Sequence, residues 1–310
     1  SEQSSWIGVR MEDADEAKKA IDTQFEFEIS LSRVEPAKVE THMTNIAVVG
    51  DHMKKHQGIS GKLFSSLGAN NINIKAIAQG ASERNISIII DERNTQKALN
   101  TIHESFFETQ TKELNLFITG VGNVGGKLLE QINQQAAYLL ENLRLKIQVI
   151  ALSNSRKMVL SDAPLDLNDW ESKLEENKVK ADRIAFFEHI KKLNLRNSIF
   201  VDNTANEEIA KEYNNFLKHN IGVVTCNKIA CASTLNNYKE LKKTARRYGT
   251  PFLFETNVGA GLPVIDTLNN LIASGDEIQK IQAILSGSLN FVFNNFNTQT
   301  SFESVVKSAQ

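Results

Sequence analysis

Residues 116–132 read LFITGVGNVGGKLLEQI, with four glycines in the seven positions 120–126, between an apolar run and an amphipathic one. An apolar strand, then G-x-G-x-x-G at Gly120, Gly122 and Gly125, then the helical KLLEQI, is the strand–turn–helix frame of a dinucleotide-binding fold. In that frame the first glycine makes the turn and the second lets the backbone approach a pyrophosphate. The third lets helix and strand pack closely, with the helix N-terminus facing the charge. The bare spacing also fits an ordinary glycine-rich turn, but its strand and helix flanks favour a cofactor.

A second strand of such a fold normally ends in an acid that holds the ribose hydroxyls. Here IQVIAL runs instead into Ser153, Asn154, Ser155, Arg156 and Lys157. An acid would repel a 2′-phosphate, whereas Arg156 and Lys157 would attract one. That pattern reads as NADP preferred, or NADP and NAD both accepted; a solvated surface pair is the other reading.

Working outward, short β-branched runs alternate with helical ones from Asn115 onward. After a polar, charged insertion come SIFVD, the helical NEEIAKEYNNFLKHN, IGVVT, the helical STLNNYKELKKTARRYG, PFLFE and the helical LPVIDTLNNLIAS. Strands separated by helices of this length predict βαβ units and a doubly wound parallel sheet, an α/β fold. EIQKIQAIL predicts one more strand, followed by SGSLNFVFNNF, which opens a new α+β region.

Upstream the order changes. TNIAVVG reads as a strand and GISGKLFSSLGANN as a helix with its apolar face at Ile59, Leu63, Phe64 and Leu67. INIKAIAQ and NISIIID predict two strands joined through Gly80, and TQKALNTIHESFF a closing helix. This β-α-β-β-α order fits a small ferredoxin-like α+β sandwich. The opening SEQSSWIGV aligns with residues 82–90, and each is followed by a helical segment, DADEAKKAI and TQKALNTI. The chain is therefore expected to open inside a first copy of the module and to contain one complete second copy.

The 310 residues carry 41% hydrophobic and 23% charged side chains and a net charge of −2. With no basic block to neutralise phosphates, nucleic acid and anionic membranes are poor partners. No run of eighteen apolar residues and no secretory signal are visible. Cys226 and Cys231 are too few for a disulfide framework and lack the spacing of a zinc site, which suits reduced thiols in the cytoplasm.

Three later segments are more specific: residues 201–230, VDNTANEEIAKEYNNFLKHNIGVVTCNKIA; residues 252–277, FLFETNVGAGLPVIDTLNNLIASGDE; and residues 284–293, ILSGSLNFVF. With the glycine loop they resemble homoserine dehydrogenase, in that family's order. The region GISGKLFSSLGANNINIKAIAQGASERNISIII resembles the ACT regulatory module of an aspartate kinase. A partial and a whole module joined to a dehydrogenase resemble the middle of the bifunctional aspartokinase–homoserine dehydrogenase family. The implied layout is the C-terminal part of a first ACT module and a linker over 1–42, a second ACT module over 43–112, an NAD(P)-binding Rossmann domain over 113–256 and the start of the catalytic domain over 257–310.

The resemblance implies reversible reduction of L-aspartate 4-semialdehyde to L-homoserine with NAD(P)H. It assigns Gly120, Gly122, Asn123, Val124 and Gly125 to the cofactor loop, Thr204 to the nicotinamide side and Lys228 to the cofactor–substrate interface, where its ammonium can serve a developing alkoxide. It assigns a monovalent cation, sodium, to the Glu255 carboxylate and the carbonyls of Val258, Ala260 and Leu262. In the ACT region it assigns an effector, L-threonine, to Gln79, with Asn71 and Asn73 flanking the pocket, and it implies a homo-oligomer. The compartment would be the cytoplasm or, in a plant, the plastid stroma.

Departures from the family are also plain. Thr225, Cys226, Asn227, Lys228 and Ile229 stand where T-P-N-K-K is common, and Asn203 where a cysteine is frequent. The family's substrate-gripping acids and proton-transfer lysine lie beyond the segment matching Gln310, so these residues alone are expected to bind NAD(P) and to reduce aldehyde poorly. A non-catalytic module for amino-acid sensing and nucleotide binding is the alternative. An aspartate-semialdehyde dehydrogenase would need a catalytic cysteine and histidine, and Cys226 has no evident histidine partner.

Overall fold

The computed structural model describes residues 5–50, 53, 58–79, 85–107, 111–297 and 299–309. Gly80, the Ser1–Ser4 stretch and residues 82–84 of the internal alignment lie outside them. The chain divides into two compact units, Ser1–Gln110 and Thr111–Gln310.

In the first unit, helices α1 (Ala14–Gln24) and α2 (Glu26–Ser30) precede the module proper. Strand β1 (Met43–Val49), helix α3 (Ile59–Ala69), strands β2 (Ile74–Gln79) and β3 (Asn85–Asp91) and helix α4 (Thr95–Phe107) follow in the expected order. The sheet is antiparallel, β1-β3-β2. Period-two alternation puts Ile86, Ile88 and Ile90 of the central β3 on one face, fully buried with Leu63 and Leu67 of α3 and Ala98 of α4. Each such side chain contributes about 1.5–3 kcal/mol relative to exposure.

The second unit is a six-stranded sheet, β6-β5-β4-β7-β8-β9. Its strands are β4 (Lys112–Thr119), β5 (Leu145–Ser153), β6 (Met158–Leu160), β7 (Ser198–Asp202), β8 (Gly222–Thr225) and β9 (Phe252–Leu253). All pairings are parallel except β5 with β6. The helices are α5 (Asn123–Leu143), α6 (Trp170–Glu176), α7 (Arg183–Leu193), α8 (Glu207–Ala210), α9 (Tyr213–Lys218), α10 (Ile229–Ala232) and α11 (Leu235–Tyr248). Both faces are covered: Leu116, Ile118, Leu129 and Leu152 pack on one, and Phe117, Phe200, Phe216 and Tyr213 on the other. Burial on both faces is why these strands read as continuous apolar runs. From β4 the chain goes to β5 on one side and later returns as β7 on the other. Such a reversal opens a crevice at the strand C-termini, where α/β folds bind ligands.

Several expectations need correction. Residues 5–10 form no strand, and neither does EIQKIQAIL, where Ile278, Ile281 and Ile284 are exposed. A short apolar run permits a strand, but only ladder partners satisfy its backbone, and neither segment has one among the described residues. The charged insertion is structured: it supplies β6, α6 and α7. The single helix expected over 206–220 is two, α8 and α9. The described residues after 257 hold only helices, α12 (Ile265–Ala273), α13 (Gly287–Asn295) and α14 (Phe302–Ala309).

Candidate active site at the strand ends

The glycine turn closes β4 onto α5. Gly120 adopts φ +88°, and its amide donates to the Ser153 carbonyl at 2.8 Å. A Cβ at Gly120 would lie 2.8 Å from the backbone carbon of Asn203 and from the Thr204 methyl. At Gly125 it would overlap the Gly120 carbonyl oxygen. Only glycine fits at these two positions, for the turn itself. Gly122 differs: nothing lies within 4 Å of a Cβ built there. It is exposed, as are Asn123 and Val124 beside it, and it caps α5 without a side-chain bond, leaving the helix N-terminus without a side-chain cap. A pyrophosphate fits that cradle: backbone donors, a helix N-terminus and no side chain in the way.

Beneath the turn, the ends of β7 and β8 share a buried polar network. Asp202 is fully buried, and its carboxylate accepts from Tyr213 Oη at 2.5 Å, Asn227 Nδ2 at 3.0 Å and the Thr204 amide at 2.7 Å. Tyr213 also bonds Thr225 Oγ1 at 2.7 Å. Burial, then the Asp202 charge, pushes the Tyr213 phenol far above its ordinary range. Asn203 is wedged between the two obligatory glycines. Its Nδ2 is buried without a hydrogen-bond partner, beside Gly125, and its Oδ1 faces Cys226 Sγ at 3.8 Å. An orphan donor at that spot is costly unless something pairs with it.

Thr204 sits at the end of β7 and exposed Lys228 at the start of α10, on loops that this network joins. Burial and the Asp202 charge both push the Cys226 thiol up, and burial does the same for Cys231. Neither is prepared as a nucleophilic thiolate, which removes the support for cysteine-based aldehyde chemistry.

The bend after β9 has Gly259 at φ +74° and Ala260 at φ +52°. Both Glu255 oxygens accept backbone amides at the start of α12, from Ile265 and Asp266 at 2.8 Å each. Glu255 thus ties the bend to the helix, and the Leu262 carbonyl accepts from Val264 at 2.9 Å. Among the described residues no group of three His, Cys, Asp or Glu could hold a metal, so any cation here would rest on carbonyls plus one carboxylate.

Arg156 and Lys157 separate in the structure. Arg156 is exposed on the β5–β6 turn, whereas Lys157 Nζ donates to the Glu175 carbonyl. Asn154 Oδ1 accepts from both of their amides and shapes the turn. In the first unit Gln79 ends the edge strand β2, exposed, and Asn71 adopts φ +56° in the α3–β2 turn with exposed Asn73 beyond it.

The pattern reading missed Asp202, Tyr213 and Asn227. Their one signal was an acid closing the apolar run SIFVD, directly before Thr204.

Comparison with known proteins adds identity to this geometry. The sequence matches the ACT domain over residues 46–106, the NAD-binding domain of homoserine dehydrogenase over 120–255, and homoserine dehydrogenase over 263–310. It is 40% identical to the bifunctional aspartokinase/homoserine dehydrogenase of Haemophilus influenzae, covering all of this chain and 38% of that protein. It is 36% identical to the chloroplastic bifunctional aspartokinase/homoserine dehydrogenase 2 of Arabidopsis thaliana, again over the whole chain and 34% of that protein. The chain thus spans little more than a third of the length of these curated relatives. A hyperthermophilic archaeal homoserine dehydrogenase, solved with NADPH, superposes with a TM-score of 0.54 at 24% identity over 64% of this chain and 60% of that one, a likeness of fold. With two homoserine dehydrogenase segments over more than half of its residues, behind an ACT domain, the chain belongs to the homoserine dehydrogenase family.

Proposed function

We propose that the full-length protein carrying this chain is a bifunctional aspartokinase/homoserine dehydrogenase whose dehydrogenase interconverts L-aspartate 4-semialdehyde and L-homoserine with NAD(P)H. The observation that carries the reading is the open face at Gly122, between two glycines that the turn requires for its own sake. When bound, the nicotinamide cofactor supplies the hydride.

The residue roles follow from that. Gly120, Gly122, Asn123, Val124 and Gly125 hold the pyrophosphate, and Thr204 borders the nicotinamide end. Lys228 donates a hydrogen bond to the carbonyl oxygen as charge develops on it. Arg156 recognises a 2′-phosphate, so NADP is preferred over NAD. The bend at Glu255, Val258, Ala260 and Leu262 takes sodium, whose hardness suits oxygen ligands. The boundaries we favour are ACT material over 1–42 and 43–112, the Rossmann domain over 113–256 and the start of the catalytic domain over 257–310.

In the regulatory region, L-threonine binds at Gln79, Asn71 and Asn73 where ACT modules pair, in a homo-oligomer, and favours one packing of the modules over another. On this reading the enzyme works in the cytoplasm or in a plastid stroma. Among the described residues no helix is long and apolar enough to cross a membrane.

The test is turnover in the full-length protein. NADPH oxidation on adding aspartate semialdehyde, and NADP reduction on adding homoserine, are expected. NADPH binding without either reaction would establish the alternative instead, a sensing and nucleotide-binding module.

A further inference from the structure

Two loops have to be in register for the proposed chemistry: the one after β7, with Thr204, and the one after β8, with Lys228. Thr204 is half-buried and Lys228 exposed. Several bonds join their loops, and one carboxylate takes part in ties to both. Asp202 Oδ1 accepts the Thr204 amide at 2.7 Å, while Oδ2 accepts Tyr213 Oη at 2.5 Å and Asn227 Nδ2 at 3.0 Å. Asn227 then spans Lys228: its Oδ1 accepts the Ile229 amide at 3.1 Å, and its own amide donates to Thr225 Oγ1 at 2.9 Å. Its Nδ2 also reaches the Asn206 carbonyl at 3.0 Å, back on the first loop.

We propose that Asp202 is the positioning residue of this site, holding Thr204 and Lys228 in register through the Thr204 amide and the Asn227 side chain without touching substrate itself. The inference rests on the roles assigned above to Thr204 and Lys228.

The chemistry of the network explains why a carboxylate is needed. It meets three donors from three directions, and two of them, the Thr204 amide and Asn227 Nδ2, cannot become acceptors. An asparagine at 202 would have to aim its NH2 group at one of these, leaving two donors face to face in a site with no exposure. Tyr213 can turn its hydroxyl to Thr225 and accept; the others cannot. A neutral isostere therefore breaks one of the two ties whichever way it is rotated. Among the described residues no ion pair holds Asp202; a buried carboxylate is expensive to keep, and serving two loops at once is what this one does.

The experiment is a double-mutant cycle on the full-length protein, read as single-turnover homoserine oxidation with NADP. Asp202→Asn is expected to lower the rate on the order of 100-fold, the effect of a misplacement near 1 Å, with a smaller change in the KM for homoserine. In a Lys228→Ala background the same substitution should cost at least tenfold less, because one of the two groups it holds in register is gone. A general loss of folding would multiply with Lys228→Ala; multiplied losses overturn the inference. Tyr213→Phe keeps the carboxylate and removes one donor. Its smaller loss should likewise shrink in the Lys228→Ala background, and that cycle decides the question if Asp202→Asn does not fold. An inactive parent, or an unimpaired Lys228→Ala protein, takes down the functional reading and the inference together. An active parent with multiplied losses takes down the inference alone.

Discussion

Gly125 and the carbonyl of Gly120 are so close that a Cβ on the first would overlap the oxygen of the second, while Gly122, midway between them, has nothing within 4 Å of its missing side chain. The turn thus separates two demands on glycine. One comes from the chain's own packing, the other from whatever occupies the open face.

The first prediction follows from that separation. Gly122→Ala should fold with an unchanged melting temperature, since φ there is −81° and the space is free. Its NADPH affinity should fall at least tenfold, roughly the cost of one displaced phosphate hydrogen bond. Gly125→Ala should lose both stability and binding. Thermal melts and NADPH fluorescence titrations check the pair; equal behaviour of the two variants would contradict the assignment.

Arg156 gives the second. It is exposed, whereas its neighbour Lys157 is held by the Glu175 carbonyl. Arg156→Ala should raise the KM for NADP roughly tenfold and leave that for NAD nearly unchanged, a charge-assisted bond being worth about 1.5–3 kcal/mol. Lys157→Ala should act on the stability of the turn and leave the NADP-to-NAD ratio alone.

Alkaline stability gives the third. The Tyr213 phenol is held well above its ordinary value near 10, first by burial and then by the Asp202 charge. In the unfolded chain it ionises near pH 10, in the folded one it does not, so the folded state binds the extra proton. Stability from this group is complete below pH 10 and is lost as pH rises, by about 1.4 kcal/mol per unit. Denaturation curves at pH 9 to 11 should show Tyr213→Phe less stable at pH 9, and the gap to the unmodified protein narrowing toward pH 11.

The fourth concerns the first unit. Gln79 is exposed at the end of an edge strand and carries no core packing, so Gln79→Ala should leave the melting temperature unchanged. Calorimetry on the full-length protein should show its L-threonine affinity reduced at least tenfold. An unchanged affinity would sink the effector assignment.

How far the sequence could be read depended on how local each signal was. The glycine spacing, the strand before it and the helix after it lie within two dozen residues, and the structure repeats them element for element. Likewise the β-α-β-β-α order read upstream returns as β1, α3, β2, β3 and α4. Legibility failed where partners are distant. EIQKIQAIL is rich enough in isoleucine for a strand, yet no strand pairs with it among the described residues. Arg156 and Lys157 look equivalent in sequence, and a carbonyl eighteen residues away separates them. The Asp202 network joins positions 202, 213, 225 and 227 from two strands and a helix, and no single stretch of sequence displays it.

The unequal demands on the glycine turn also set how it would decay. In a descendant that had lost its nucleotide, Gly120 and Gly125 would persist, because a side chain at either would crowd the turn. Gly122 would be released and could accept any residue its backbone tolerates. Gly122 is accordingly the position in this turn where drift among relatives would record a vanished ligand.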